Sequence, residues 1–531
     1  LRNIRNIINL IFLFSIIGVV FSSALTETGS VIGPPDEGPL ECAFYLAQNS
    51  SNKVLDMMKI ALVYTSAKQY TRSLYLTGAI GNEIFTEFYI LPAMIWGYGM
   101  DQNYARALPL LEIIKNRQAK LVAATWLAKA YIAHHRNAAK LLEDAERLAL
   151  ASMEQWLATP YTADNYFDFL KRADALVNLS EADFQSGRKS HAERIMNGAT
   201  GFIRLASFEP GLEFFKGAAL AEVALSRYHS GYRAAGVKLM AEAEKYVLES
   251  GAASANNPVF MELAETYAKM RNFDKALKIA DTIHNETEDY YRFDCLEKIG
   301  AQYYLAGQKT KAAAIWQQIL TEVRDDDIMA QVRWLGSVAV DFYRAGQAGK
   351  ARDLLRQAWE IAAREKEGDL KDAYPEALLV IIGKYREAGE RDRALQLVDQ
   401  AYEAFQTLRL QNMMGTTPNH LVSANDQALP YYRVAVIGDY PRKLPRKAGF
   451  LKTIQASPAQ VRADLLGINL ATEYAQLGGY LRSLQVIRLL AIIENKVEGL
   501  ILTGKIFYDD KMTASEPMRK VLREIAEEAG N

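Results

Sequence analysis

LEKIGAQYYLAGQ, from Leu296 to Gln308, is the stretch on which the reading of the whole chain turns. Ile299 and Tyr303 stand four residues apart, which places them on one helix face. Four residues further comes Gly307, where a helix ending in a left-handed residue needs one without a Cβ. The arrangement recurs in FMELAETYAKMRN (Phe260 to Asn272), LGSVAVDFYRAGQ (Leu335 to Gln347), LLVIIGKYREAGE (Leu378 to Glu390) and GINLATEYAQLGG (Gly467 to Gly479). Their aliphatic–aromatic pairs are Leu263/Tyr267, Val338/Phe342, Ile381/Tyr385 and Leu470/Tyr474, with turns expected at Arg271, Gly346, Gly389 and Gly478. A second helix is predicted after each turn, carrying the trios Ala276/Ala280/Ile283, Ala312/Trp316/Ile319, Ala351/Leu355/Ala358 and Ala394/Val398/Ala401. Alanine at its start lets the two helices approach closely, and the bulkier residue fills the space between neighbouring pairs. One such pair cannot bury its apolar face alone, so copies must stack over a shared core. The expected fold class is all-α, a superhelical α-solenoid of tandem antiparallel helix pairs.

Leu296, Ile299, Gly300, Tyr303, Ala312 and Trp316 together resemble the tetratricopeptide repeat family. Weaker copies lie upstream, at Ile60/Ala61/Tyr64/Tyr70, Met94/Tyr98/Tyr104/Ala107/Leu111 and Leu127/Ala128/Tyr131/Ala138/Leu142/Ala145. The fits at Leu179/Gly187/Ala192 and Val223/Gly231/Met240 are loose. The resemblance implies a right-handed superhelix with a concave groove that binds a protein or peptide. Turn-to-turn spacings of 36, 39 and 43 residues exceed the family period of about 34, and the family's closing proline is missing. The family's carboxylate clamp of paired Lys, Asn and Arg is not reproduced either.

The chain divides into residues 1–24, a signal peptide or N-terminal anchor; 25–54, a spacer and first helix lead-in; and 55–409, the helical repeats. An irregular insertion with a degenerate helix pair is expected over 410–459, a further repeat over 460–494, and capping helices over 495–531. The first division rests on Arg2 and Arg5, the apolar run Ile7 to Phe21 and the small residues Ser22, Ser23 and Ala24. Basic, then apolar, then small is the order of a secretory signal, and about 15 residues is short for a span. The expected location is exported: periplasmic or secreted in a bacterial envelope setting, or membrane-anchored facing away from the cytoplasm if the segment stays uncleaved.

Composition narrows the function. The 62 Lys+Arg against 63 Asp+Glu leave no basic field to hold nucleic acid. Two cysteines, Cys42 and Cys295, allow at most one bridge; Cys295 is expected to serve packing and Cys42 to pair or stay free. No phosphate-cradling loop, nucleophile elbow or metal-spaced motif appears, so neither cofactor, metal nor catalytic residue is expected. His134 and His135 diverge on a helix and read as a surface turn, and Asp325-Asp326-Asp327 as a helix start. Binding residues are sought instead on the concave face: Tyr304, Arg333, Tyr343, Arg344 and Arg386, residue types that anchor interfaces, suited to an acidic segment. A second basic patch comprises Arg442, Lys443, Arg446 and Lys447, with Lys452 nearby. The function expected is a non-enzymatic, exported scaffold for protein–protein contacts, with no nucleic acid and with membrane contact only through an uncleaved N-terminus. The alternatives are a solenoid subunit of an envelope enzyme and a membrane-tethered architectural protein.

Overall fold

A computed structural model describes residues 31–249, 257–283, 290–323, 327–366, 373–413 and 458–530. In chain order the helices are α1 (Pro39–Ala47), α2 (Lys53–Ser66), α3 (Tyr70–Ile80), α4 (Leu91–Met100), α5 (Tyr104–Ile113), α6 (Arg117–Ala133), α7 (Ala139–Leu157) and α8 (Tyr166–Gln185). There follow α9 (Lys189–Leu205), α10 (Phe214–His229), α11 (Arg233–Glu249), α12 (Asn257–Lys269), α13 (Phe273–Ala280), α14 (Tyr290–Leu305), α15 (Lys309–Glu322) and α16 (Ile328–Arg344). The last are α17 (Ala348–Arg364), α18 (Tyr374–Glu387), α19 (Arg391–Met413), α20 (Pro458–Gln476), α21 (Tyr480–Arg488), α22 (Ile493–Asp509) and α23 (Glu516–Gly530). Among the described residues the extended backbone forms nothing beyond an isolated bridge between Tyr161 and Phe208. The all-α solenoid class is therefore observed. The described residues fall into two compact units, 31–97 with 405–413 and 458–530, and 98–404.

The turns sit where the sequence places them. Gly307, Gly346, Gly389 and Gly478 have φ of 78°, 78°, 75° and 82°, and Arg271 adopts the same left-handed region at 62°. Each closes its first helix with two bonds: Gly307 N–H donates to Tyr304 O and Gln308 N–H to Tyr303 O, both at 2.9 Å. This is the Schellman closure, which satisfies carbonyls that a helix end would otherwise orphan. The longer bond always reaches the carbonyl of the aromatic of the pattern: Tyr267, Tyr303, Phe342, Tyr385 and Tyr474. The weaker copies use the same closure at Lys68, Gln102, His135, Gly187 and Gly231, and a further one occurs at Lys511.

The loose fit around Gly187 has a local cause. Asp183 takes the aromatic's place and is fully buried, and Arg188, the residue after the glycine, brings Nε to 3.0 Å from its carboxylate. An ion pair thus stands where most of the other turns have a ring; the Gly231 turn carries Arg227 there. The wide turn spacing on either side comes from the loops 158–165 and 206–213. They are joined by Tyr161 N–H to Ser207 O and Glu209 N–H to Tyr161 O, each 2.9 Å, and Tyr161 and Phe208 pack on Phe169. Aromatic rings fill what would otherwise be a gap between pairs.

In the second unit each first helix packs on the next, α6 on α8, then α10, α12, α14, α16 and α18 in succession. The second helices pack on their own partner and on the following first helix, and barely on one another beyond α7 and α9. A stack close-packed in one layer and splayed in the other curves with the close layer inside. The first helices therefore line the inner face.

In the other unit α1 packs on α2, α22 and α23, so the earliest described helix is seated among the latest ones. Residues 31–38, read as spacer, are part of this body: Ile32 is buried and Asp36 pairs with Arg523 at 2.7 Å. Pro34 and Pro35 form the turn that brings Asp36 there, with Glu37 N–H closing on Pro34 O at 3.0 Å. Glu41, 1% exposed, accepts from Tyr64 Oη at 2.9 Å and Tyr508 Oη at 2.7 Å and pairs with Arg72, linking α1, α2, α3 and α22. Burial, and then the Glu41 charge, push both tyrosine hydroxyls well above their ordinary range. Cys42 and Cys295 are both buried and unbridged, Cys42 donating to Leu522 O at 3.6 Å. The last helix, read as a cap, buries Met518, Val521, Leu522 and Ile525. Asp464 of α20 accepts from Ala491 and Ile492 N–H at 2.9 and 2.8 Å and so caps the start of α22.

Nothing lies within 4 Å of where a Cβ on Gly346 would sit, so any cost of a side chain there is conformational. Gly346→Val is expected to destabilise the protein by about 1 kcal/mol or more, measured by denaturant unfolding. An unchanged midpoint and slope would mean that the left-handed turn carries no energetic weight.

Candidate functional site

The inner face gathers charge along α14, α16 and α18. Asp294, Glu297 and Lys298 stand at three- and four-residue spacing on α14, Arg333 and Asp341 on α16, and Lys384 and Glu387 on α18. Asp327 orients α16 by capping it, its Oδ1 accepting Ala330 N–H at 3.0 Å. Gly336 opens space between α16 and α18, because a Cβ there would meet the Lys384 stem at 2.7 Å.

Arg333 pairs with Asp294 at 3.3 Å, and its guanidinium lies 5.0 Å from the Trp334 ring centre. Arg344 is exposed and reaches Asp341 at 3.7 Å; Lys384 reaches Glu387 at 3.6 Å. The carboxylates are less well served. Burial first, and then Asp341, push Glu297 up to about 7 against the pull of Lys384 and Arg333. Burial holds Asp341 up at about 6 despite Arg344 and Lys384, and it raises Asp294 as well. Asp341 is 5% exposed, and its Oδ2 has no hydrogen-bond partner among the described residues.

The residues singled out from the sequence fall at and around this cluster. Arg333 belongs to it. Tyr304 lies half-buried one helical stretch beyond Glu297, its ring 6.3 Å from Trp316 and beneath Lys309 Nζ at 5.7 Å. Tyr343 is 40% exposed and lies against the Gly389 turn, whose Cβ would be 2.6 Å from its hydroxyl. Arg386 is half-buried on α18. Arg333 and Arg344 do not form a free cationic stripe, since each is matched by a carboxylate of its own layer or helix. Sequence reading passed over Glu297 and Asp341, which look like ordinary surface acids of amphipathic helices. The signal that could have found them is three acids among glycines and aliphatics on successive first helices. The basic residues Arg442, Lys443, Arg446 and Lys447 lie outside the described residues.

Elsewhere, His135 lies in the left-handed turn and His134 Nε2 is 2.9 Å from Met100 O, so the two histidines diverge. Among the described residues no group of three or more His, Cys, Asp or Glu is placed to hold a metal ion, and no helix is long and apolar enough to cross a membrane.

The fold and inner face define a class: an all-α protein of tandem helix pairs, with the α-solenoid arrangement. No protein-family model matches the sequence, and no curated protein matches it either. Among solved structures, Ton1535 from Thermococcus onnurineus NA1 is 13% identical over 78% of this chain and 99% of its own, with a TM-score of 0.31. A circular tandem repeat protein with novel repeat topology and enhanced subunit contact surfaces is 12% identical over 93% of this chain and 99% of its own, with a TM-score of 0.21. At such scores the class rests on the helix packing itself.

Carboxyls raised by burial hold more protons folded than unfolded. Their stabilising contribution is whole below the ordinary carboxyl range and is lost as pH rises through about 6–7. Glu297→Gln is therefore expected to raise stability at pH 8, on the order of 2 kcal/mol, and to leave it nearly unchanged at pH 5. Thermal melts at both pH values check this, and an equal effect at the two would refute it.

Proposed function

We propose that this protein is a non-enzymatic scaffold that holds a segment of a partner protein along the inner face of α12, α14, α16 and α18. The observation that carries the proposal is the concentration of under-solvated polar groups and half-exposed tyrosines on the close-packed layer. Asp341, Glu297, Tyr304 and Tyr343 would be poor choices for a face meant only to meet water. Helix pairs fixed by two-bond turns pre-organise such a face, so little conformational freedom is lost on binding.

The tetratricopeptide assignment is part of this proposal. It is supported by the pairing of Gly300 with Trp316, where a Cβ would come within 2.6 Å of the indole Nε1: small and large residues of the family pattern meet in space. The wide turn spacing around Gly187 follows from the inserted loops 158–165 and 206–213. Export is likewise proposed, from the basic, apolar and small order of Arg2 to Ala24, which lies outside the described residues.

Tyr343→Ala with Arg386→Ala is expected to reduce crosslinked partner capture at least tenfold while shifting the melting temperature by no more than a few degrees. Undiminished capture by the double variant would sink the groove. For export, mass spectrometry of the chain recovered from its native compartment is expected to find a mature N-terminus near Thr26. A chain that retains Arg2–Phe21 would point to a tether instead.

A further inference from the structure

Granted that the inner face holds a segment at all, its charges decide what that segment carries. The cations of the cluster already have carboxylates: Lys298 has Glu265, Arg333 has Asp294, Arg344 has Asp341 and Lys384 has Glu387. An acidic ligand would have to break these pairs and would then face Glu297 and Asp341. The converse shortage is real. Glu297 makes no hydrogen bond among the described residues, and Asp341 Oδ2 is fully buried without a donor. A buried acceptor left unmatched costs more than an ordinary hydrogen bond returns, so a donor brought to it is held strongly.

We propose that the inner face receives a basic side chain of the partner, arginine or lysine, at Glu297 and Asp341, between α14 and α16. The raised proton affinity of both carboxyls agrees with this, because a site short of positive charge takes up protons for the same reason. The stem of Lys384 crosses Gly336 and its ammonium, 3.6 Å from Glu387, also draws on Glu297 and Asp341, yet both carboxyls stay raised, so the site still has room for a further positive charge. Arginine suits the site better than lysine, since its planar fork can serve two carboxylates at once.

The inference is tested with the full chain and three labelled probes, hexa-arginine, hexa-lysine and hexa-glutamate, by fluorescence polarisation at pH 8. The variants are Glu297→Gln, Glu297→Gln with Asp341→Asn, and a control of equal charge change on exposed residues, Glu154→Gln with Asp164→Asn. Melting curves establish that each is folded, and the single variant stands in should the double one unfold. Hexa-arginine is expected to bind the native chain, to lose at least tenfold with either Glu297 variant and to bind the control normally, with hexa-glutamate showing no binding. Equal weakening by control and site variants would reduce the effect to the general field and overturn the proposal. So would preferred binding of hexa-glutamate, or no binding of either cationic probe. If hexa-arginine affinity ignores Glu297 and Asp341 but falls with Tyr343→Ala and Arg386→Ala, the basic seat is wrong and the groove stands.

Discussion

One backbone hydrogen bond recurs through the protein and the rest depends on it. The carbonyl of the residue at the aromatic position accepts the N–H five residues on, across a left-handed turn, at Tyr303 and Gln308 as at Phe342 and Gln347. That bond reverses the chain within three residues and sets the second helix against the first at a fixed angle. The ring on the residue whose carbonyl is engaged is buried between pairs, so one position serves both the turn and the core. At the Gly187 turn, where the ring is absent, Asp183 and Arg188 do its work with charge, at the cost of burying a carboxylate. An ion pair inside the protein holds geometry better than it adds stability.

Charge on the inner layer follows from the same constraint. First helices close-pack through Gly336 and the aliphatic positions, which brings Asp294, Glu297, Arg333, Asp341 and Lys384 within electrostatic reach. On isolated helices these residues would be solvated. The stack desolvates them, and the carboxylates respond by holding their protons more tightly. A charged face made this way is electrostatically tuned by packing, without any dedicated loop.

The unit that contains both ends of the described chain is held differently. Glu41 binds two tyrosines and an arginine from three other helices, and Lys59 pairs with Glu498 and Ser51 with Glu494 nearby. Of these, Glu41–Tyr508, Lys59–Glu498 and Ser51–Glu494 join residues more than 400 positions apart, so the cost of closing that loop is met by charge-assisted bonds and by the apolar faces of α1, α22 and α23.

Sequence alone determined the helix pairs and their turns, because the signals are local: an aliphatic and an aromatic four apart, then a residue able to take positive φ. Gly307, Gly346, Gly389, Gly478 and even Arg271 were legible for that reason. What only the tertiary structure decided depends on residues far apart in the chain. The seating of 31–38 and α1 against α22 and α23, the capping of α22 by Asp464, and the electrostatic influence of Asp341 on Glu297 leave no periodic trace. The candidate site was half legible. Arg333 and the tyrosines were singled out by type and spacing, whereas Glu297 and Asp341 stand out only through burial, and burial is a property of the stack rather than of any helix in it.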